Sequence, residues 1–437
     1  QFHVGIGFEN FNYLILNFIV FLDYPYLKFL RSNLKFLNSW PGKELGENVS
    51  KYRYFQSFLC VGIASFYFSS GIYYYKKNTH NMTFFDKGHI YITLVLSVFI
   101  LVRKTGLTNM PSCKNIIVEF LQKMHLFHYK NMTQFIFVFQ THKRIHYISQ
   151  MFSVYMVFLS FIGNLGFNLF PIYRNLALGK FKDKILHNET YEHSIYIILP
   201  FDIYTNFNGY IGGVLLNCLA SYICSAWFVL WDLLMCSIVF HLWGHYNILI
   251  HDLNSFPLPT QKRVVTVNES NETANAEMYS EEELEAISKK LKECIDYHRS
   301  IAEYTNKMSN AFGPMLLAFY TFHQVIGCLL LLECSQMTTE AMMVYGPLTG
   351  VSFQQLIQMS VIFELIGTAS EKLKDAVYGV PWEYMDVNNR KTVGIFLINV
   401  QEPIHVKAMG IANVGVTTMA AVRLTLLTIY QTFLGPI

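Results

Sequence analysis

Residues 405–437 read HVKAMGIANVGVTTMAAVRLTLLTIYQTFLGPI. This segment is apolar and β-branched over most of its length, and Arg423 is the charged residue near its middle. A charged side chain at the centre of a bilayer costs roughly 3 kcal/mol, so it usually faces the interior of a helix bundle or water. The segment therefore predicts a membrane helix whose polar side meets other helices or an aqueous path.

The whole chain has the composition of a membrane protein. Of its 437 residues, 52% are hydrophobic and 14% are charged, whereas a typical soluble domain is about 25% charged. The net charge of +3 is too small to indicate a nucleic-acid partner. The eight Cys residues form no CxxC pair, so we expect neither a disulfide framework nor a zinc site. These features predict an all-α integral membrane protein.

Seven apolar stretches predict membrane-spanning helices, at about 54–75, 88–102, 147–173, 210–246, 311–332, 343–366 and 407–434. The stretch 11–22 (FNYLILNFIVFL) is shorter than the roughly 20 residues that a spanning helix needs, and it predicts a re-entrant or interfacial helix. The later part of NESNETANAEMYSEEELEAISKKLKE predicts a soluble helix with Glu-to-Lys pairs. The predicted regions are 1–53 (N-terminal), 54–246 (helices one to four), 247–310 (cytoplasmic loop or anchor) and 311–437 (helices five to seven).

The distribution of Lys and Arg predicts the orientation in the membrane. Most of the 33 such residues lie in the N-terminal region and in the loops after spans two, four and six. Because basic loops stay in the cytoplasm, the N-terminus is predicted to be cytoplasmic and the C-terminus extracellular. The sequons at Asn268 and Asn271 fall in a loop placed in the cytoplasm, where they would not be glycosylated.

The sequence lacks the motifs of several functional classes. Span three ends in FPIYRN instead of a D/E-R-Y tripeptide, and span seven has no NPxxY, so a G-protein-coupled receptor is not indicated. The sequence has no P-loop, GxGxxG, HExxH or GxSxG motif, so no enzyme and no cofactor are predicted.

Span four contains two histidines and one aspartate within an apolar segment. His241 and His245 lie four apart on one helix face, but no carboxylate or third ligand is near them in the sequence, and no metal site is predicted. Asp232 is a carboxylate within an apolar segment, where such groups usually serve function. The alternative is that Asp232 lies at the inner end of a long helix and reaches cytoplasmic water.

The last third of the chain resembles the insect odorant receptors, and among them most closely the lepidopteran pheromone receptors. The resemblance covers residues 376–433 and rests on a set of short motifs: Tyr378 followed by Pro381-Trp382-Glu383, Arg390-Lys391, Gln401-Glu402-Pro403, Lys407-Ala408-Met409-Gly410, Val414-Gly415-Val416 and Gln431-Thr432-Phe433.

The resemblance implies the tuning subunit of a ligand-gated, non-selective cation channel. In this family such subunits form heterotetramers with an olfactory co-receptor in the plasma membrane of the olfactory neuron dendrite. The seventh helices line one central pore, and cytoplasmic extensions of spans four to seven form an anchor. The implied partners are therefore the co-receptor, a small hydrophobic volatile and membrane lipid.

The spacing in the last helix suits a gate that closes by dewetting, which needs a ring of apolar side chains at the narrowest point. Ile429 and Phe433 are four apart and therefore stack on one helix face. Their positions match the gate of the family, and Thr425 with Thr432 or Gln431 would add polar lining. The alternative is that Ile429 and Phe433 pack on neighbouring helices. A break in the helix is predicted near Gly410 and Gly415.

A long-chain alcohol, aldehyde or acetate gains about 0.8 kcal/mol for each CH₂ group that is buried, so its pocket should be apolar with one or two polar groups. In the family this pocket lies in the outer half of the bundle, between spans two, three, four and six. By position, eight residues are candidates for its lining, and each is alternatively a packing residue: His89, Tyr91, Asn164, Phe167, Tyr210, Tyr222, Tyr345 and Phe353. His323 in span five is a further candidate for a polar contact.

Two other functions stay open from the sequence. A gustatory receptor of the same superfamily would form a homotetrameric channel with a more polar pocket. A secondary transporter would show internal repeats and broken helices, and no such repeat is visible.

Overall fold

The computed structural model describes residues 24–47, 52–126, 135–181, 190–260, 263–269, 272–335 and 338–434. The predicted re-entrant helix at 11–22 lies outside these residues. The described part contains ten α-helices: α1 (Pro25–Phe36), α2 (Tyr52–Asn78), α3 (Phe84–Asn109), α4 (Pro111–Glu119), α5 (Phe135–Ala177), α6 (Phe207–Asn254), α7 (Glu281–Cys334), α8 (Thr339–Tyr378), α9 (Val387–Asn399) and α10 (Val416–Leu434).

Five of these helices, α2, α3, α5, α6 and α7, are long and apolar enough to cross a membrane. Helices α8 and α10 occupy the positions of predicted spans six and seven. Helix α6 is the centre of the bundle. It packs on α5 and α8, and its C-terminal half, from Trp227 onward, is almost completely buried. Helix α3 packs on α2 and α7 and closes the other side of the bundle.

Helix α7 joins two elements that the sequence predicted separately. The predicted soluble helix and the predicted fifth span form one helix from Glu281 to Cys334, although Pro314 lies inside it. Its start is fixed by a capping box, in which the Ser280 hydroxyl accepts from the backbone N–H of Glu283 and the Glu283 carboxylate accepts from the backbone N–H of Ser280. The rest of the predicted loop contains the antiparallel strands β1 (Arg263–Glu269) and β2 (Glu272–Met278).

The other membrane helices also differ from their predicted bounds, and the largest extensions are those of α5 (Phe135–Ala177 against 147–173) and α8 (Thr339–Tyr378 against 343–366). Helix α3 is longer than the predicted 88–102, because a capping box between Thr83 and Asp86 starts it earlier and it continues to Asn109. The last helix begins at Val416 instead of 407. The residues before it form the two-residue strands β3 (Lys407–Ala408) and β4 (Ala412–Asn413), with Gly410 at φ +72° in the turn between them.

Helix α1, which was not predicted, packs on α2, α5 and α6. It starts with Pro25 in its first turn, where a missing N–H costs nothing. Its buried side chains recur at helical spacing on one face: Tyr26, Leu27, Leu30 and Leu34.

Candidate ligand-binding cavity

A cavity of about 260 Å³ lies between α2, α3, α5, α6, α7 and α8. Its wall is mostly aliphatic and aromatic, with hydroxyl and amide groups between these side chains. Among the described residues that line it, none is Asp, Glu, Lys or Arg. The cavity can therefore solvate an uncharged, largely apolar molecule and has no fixed charge with which to bind an ion.

One polar group on the cavity wall is centred on Asn164 of α5. The Asn164 Oδ1 atom accepts hydrogen bonds from Ser221 Oγ of α6 at 2.9 Å and from Asn168 Nδ2 at 2.7 Å. Asn168 Oδ1 in turn accepts from Ser194 Oγ at 3.1 Å. This network fixes the position of the amide at the edge of an apolar space, where a ligand head group can meet it.

A second polar group joins α3, α8 and the connection between α5 and α6. His89 Nε2 donates to the carbonyl of Ser194 at 2.8 Å, and in the neutral ring His89 Nδ1 is then an acceptor. The Tyr345 hydroxyl lies 3.4 Å from this Nδ1 atom. The imidazole is thus held in place beside a hydroxyl on the cavity wall.

The chain between α5 and α6 folds over this end of the bundle. The Ser70 hydroxyl of α2 donates to the Ile198 carbonyl at 2.9 Å and accepts from the Ile198 N–H at 2.8 Å. Asn217 of α6 donates to the Ile195 carbonyl at 3.1 Å. Because polar side chains from two helices satisfy its backbone, this segment has a fixed position against the cavity.

A larger space of about 1150 Å³, here called the vestibule, lies next to the cavity. Its wall includes the ion pairs of Glu192 with Arg174 at 3.2 Å and with Lys180 at 3.6 Å. Several residues line both the cavity and the vestibule: His89, Leu159, Gly163, Phe167, Leu348 and Val351. The charged vestibule thus adjoins the uncharged cavity across a wall that contains Gly163.

Four of the eight residues predicted from position lie on the cavity wall, namely His89, Asn164, Phe167 and Tyr345. The other four lie elsewhere.

Tyr91 is 40% exposed, and its hydroxyl lies 2.6 Å from that of Tyr75. Tyr222 is 55% exposed, and Phe353 packs against the core. Tyr210 is buried and accepts a hydrogen bond from Asn175 at 3.1 Å. His323 is buried behind the wall with its Nδ1 atom 3.2 Å from Ser352 Oγ.

Sequence reasoning missed Ser221, Tyr67 and Gly163, which also line the cavity. Asn164 and Asn168, two amides four residues apart in an apolar helix, were a visible signal for this polar face. Ser221 gives no such signal, because its partners are 57 and 53 positions away in the chain.

Below the cavity, Asp232 does not reach water, which corrects the interpretation of this residue as solvent-exposed. Its side chain is fully buried, and its Oδ1 atom lies 3.0 Å from an Nη atom of Arg103 on α3. The guanidinium of Arg103 lies 4.6 Å from the centre of the Phe99 ring and 4.5 Å from that of Phe228. Phe228 also lines the cavity, so the ion pair lies directly beneath the cavity floor.

The two histidines of span four are part of hydrogen-bonded packing. His241 Nδ1 accepts from the backbone N–H of Leu126 at 3.3 Å, and its Nε2 lies 3.0 Å from the Tyr26 hydroxyl. His245 contacts the Met124 carbonyl and the Tyr297 hydroxyl, both at 2.7 Å. In the described residues, no group of three side chains could hold a metal ion.

The predicted gate lies in α10, where Thr425 is exposed and donates to the Ala421 carbonyl at 2.9 Å. Positions 429, 431 and 433 are within this helix, but the side chains of Ile429, Gln431 and Phe433 lie outside the described part of the structure. Arg423 is exposed in the single chain.

Comparison with known proteins agrees with this architecture. The family model described as 7tm Odorant receptor matches residues 128–425. Curated protein sequences gave no match. Among solved structures, the insect olfactory receptor OR5 from Machilis hrabei is similar with a TM-score of 0.72 and 13% identity, over 96% of this chain and 99% of that chain. The same receptor in complex with eugenol gives a TM-score of 0.68 and 12% identity, with 97% of each chain covered.

The fold is that of a multi-pass, seven-helix membrane receptor with a cavity between its helices, which confirms the predicted all-α membrane architecture. Because the family model matches more than half of the sequence, the chain belongs to the 7tm odorant receptor family. It is a receptor and not an enzyme, as the sequence predicted.

Proposed function

We propose that this chain is the tuning subunit of a ligand-gated, non-selective cation channel and that it binds a hydrophobic volatile, such as a pheromone, in the 260 Å³ cavity. The observation that carries the proposal is a cavity wall of mostly apolar side chains with no Asp, Glu, Lys or Arg among its described residues. The complex of the Machilis hrabei receptor with eugenol supports a small organic ligand for this fold.

The polar groups of the wall would orient the head of the ligand. The amide of Asn164 and the hydroxyl of Tyr345 are the groups proposed to meet an alcohol, aldehyde or ester oxygen, while Phe167 and the aliphatic wall take the chain. Each buried CH₂ group contributes about 0.8 kcal/mol, so chain length would set affinity and the polar head would set orientation.

Binding opens a channel only if the open state binds the ligand more tightly, since equal affinity for both states shifts no population. We propose that the open state widens a ring of Ile429 and Phe433 contributed by α10 of each subunit, with Thr425 and Gln431 as polar lining. An olfactory co-receptor would supply the other subunits of a heterotetramer in the plasma membrane, and the N-terminus would be cytoplasmic.

The test of the pocket uses Gly163, which lies on the cavity wall. No described atom lies within 4 Å of the position that a Cβ would take there, so a larger side chain fills space without moving the backbone. In cells that express this chain with the co-receptor, Gly163→Val should raise the ligand concentration for half-maximal current about tenfold for the longest ligands, because roughly two CH₂ groups are displaced.

The matched control is Gly62→Val. Gly62 is also a helical glycine with no described atom within 4 Å of a new Cβ, but it does not line the cavity, and its variant should respond as the parent does. Equal responses from both variants would contradict the proposal that the ligand binds in this cavity. A direct ligand-gated current without the co-receptor would favour the homotetrameric gustatory type, and a response through G proteins alone would exclude the channel.

A further inference from the structure

A third cavity, of about 440 Å³, lies at the opposite end of the bundle from the α5–α6 connection. Its wall combines the turn after α1, the first turns of α2, the last turns of α3 and the start of α4. Three lysines line it, Lys43, Lys104 and Lys114, together with a single acidic residue, Glu44. The lysine distribution predicts that this end of the bundle faces the cytoplasm. We call this space the lysine cavity.

Lys104 is a buried cation whose charge has no counterion among the described residues. It is 5% exposed, and its Nζ atom donates to the carbonyl and to the hydroxyl of Ser57, both at 2.6 Å. No described carboxylate forms an ion pair with it, whereas the preceding residue, Arg103, is paired with Asp232. A buried cation is costly unless an anion compensates it, so Lys104 points to an anionic ligand.

Trp40 gives a second, independent indication. Its side chain is 5% exposed and lines the lysine cavity, and its indole Nε1–H has no hydrogen-bond acceptor in the described structure. A buried donor without a partner is rare in native proteins and requires an explanation. An acceptor oxygen of a ligand in the cavity would satisfy it.

Glu47, the next acidic residue after Glu44, already forms ion pairs outside this wall. Glu47 accepts from Arg31 at 2.8 Å and lies 2.7 Å from Lys35. The turn that carries Trp40 is anchored to α3 by the hydroxyls of Ser39 and Thr108, which are 3.0 Å apart. The turn after α1 therefore has a fixed position against α3, and both elements carry lysines of the cavity wall.

The apolar rim indicates which kind of anion fits. Phe58 and Val61 of α2 line the same cavity, yet they are 76% and 38% exposed. Exposed apolar side chains on a membrane helix face acyl chains, so a molecule in this cavity can have its charged end against the lysines and its hydrocarbon end in the bilayer.

We propose that the lysine cavity binds the phosphate-bearing headgroup of an anionic membrane lipid. Lys104 and Lys114 would contact phosphate oxygens, and Lys43 would add its positive charge to the same wall. Trp40 would donate to one of the phosphate oxygens, and Phe58 with Val61 would contact the first part of the acyl chains. The site is separate from the odorant cavity, which α2 and α3 form at their other halves.

The test is native mass spectrometry of the full chain in detergent, titrated with dioctanoyl phosphatidylinositol 4,5-bisphosphate or with dioctanoyl phosphatidylcholine. The bisphosphate lipid should bind more tightly than the zwitterionic lipid. The variant Lys43→Ala/Lys114→Ala should weaken its binding about thirtyfold, because each lysine near an anionic headgroup contributes about a fivefold factor.

The control variant is Lys289→Ala/Lys292→Ala, which removes the same charge from two exposed positions of α7. It should bind within about twofold of the parent, because exposed charges far from the site are screened. Trp40→Phe keeps an aromatic ring but removes the donor, and it should weaken binding about fivefold.

Three results would overturn the proposal. The first is equal weakening by the two double-lysine variants, and the second is equal binding of the two lipids. The third is binding of inositol 1,4,5-trisphosphate, which has no acyl chains, as tightly as the bisphosphate lipid, because the occupant would then be a soluble phosphate ester.

Discussion

Arg103 of α3 and Asp232 of α6 form an ion pair of 3.0 Å with side chains that are 1% and 0% exposed. One Arg103 Nη atom also donates to the carbonyl of Phe228 at 3.2 Å, and Phe228 lines the odorant cavity. The pair therefore joins two helices of the cavity wall at its floor, with both charged groups buried in the protein.

Removing one member of this pair should destabilise the receptor. Asp232→Ala or Arg103→Ala leaves a buried charge without its partner, at a cost of about 3–5 kcal/mol. The double variant Arg103→Met/Asp232→Leu should recover most of this loss, because it leaves no charge behind. The apparent Tm of the purified protein measures each variant. If the Tm of the double variant falls by the sum of the two single decreases, loss of the ion pair is not the cause of the destabilisation.

The Tyr345 hydroxyl should contribute to ligand recognition. Tyr345→Phe keeps the ring on the cavity wall and removes only the hydroxyl beside His89. The ligand concentration for half-maximal current should rise about fivefold for alcohols or aldehydes, which corresponds to one hydrogen bond. Tyr222→Phe is the control, because Tyr222 also loses a hydroxyl but is 55% exposed and away from the cavity. Equal effects in both variants would show that the Tyr345 hydroxyl does not contact the ligand.

The segment over the cavity should loosen in acid. Burial lowers the pKa of His193, whose Nε2 donates to the Ile203 carbonyl at 2.9 Å. Because the folded form favours the neutral ring, its stabilisation is complete above the unfolded pKa of about 6.5 and declines as the pH falls below it. Asp202 does not titrate in this window, since hydrogen bonds from Thr205 lower its pKa.

Hydrogen exchange of residues 190–206 at pH 7.5 and 5.5, corrected for the intrinsic exchange rate, measures this effect. Protection should fall at the lower pH in the parent and stay unchanged in His193→Gln, which cannot be protonated. An equal loss of protection in both proteins would assign the pH dependence to another group.

The proposed gate makes a prediction about basal current. Ile429→Ser should raise the current without ligand, because a polar ring of side chains admits water more readily than an apolar one. Leu424→Ser is the control, since Leu424 lies on another face of α10 and is 67% exposed in the single chain. Whole-cell recordings with the co-receptor present measure both variants. A basal current in Leu424→Ser alone would place a different face of α10 at the pore.

The helical periodicity and apolar length of the chain were sufficient to predict the seven spans and their order, because each span is stabilised by its own backbone hydrogen bonds in lipid. The boundaries were less predictable. Helix α7 continues through the charged segment 281–310 because a capping box starts it and i,i+4 pairs such as Glu303 with Lys307 support it, whereas the sequence predicted a soluble helix separate from span five.

The sequence by itself determined the class of the protein, the number of its membrane helices and the polar residues available within them. Only the tertiary structure decided which of these residues meet: Arg103 with Asp232, His89 with the Ser194 carbonyl, and Asn164 with Ser221. The physical reason is that helical periodicity fixes the face on which a side chain lies, while the rotation and depth of each helix against its neighbours depend on packing across the whole bundle.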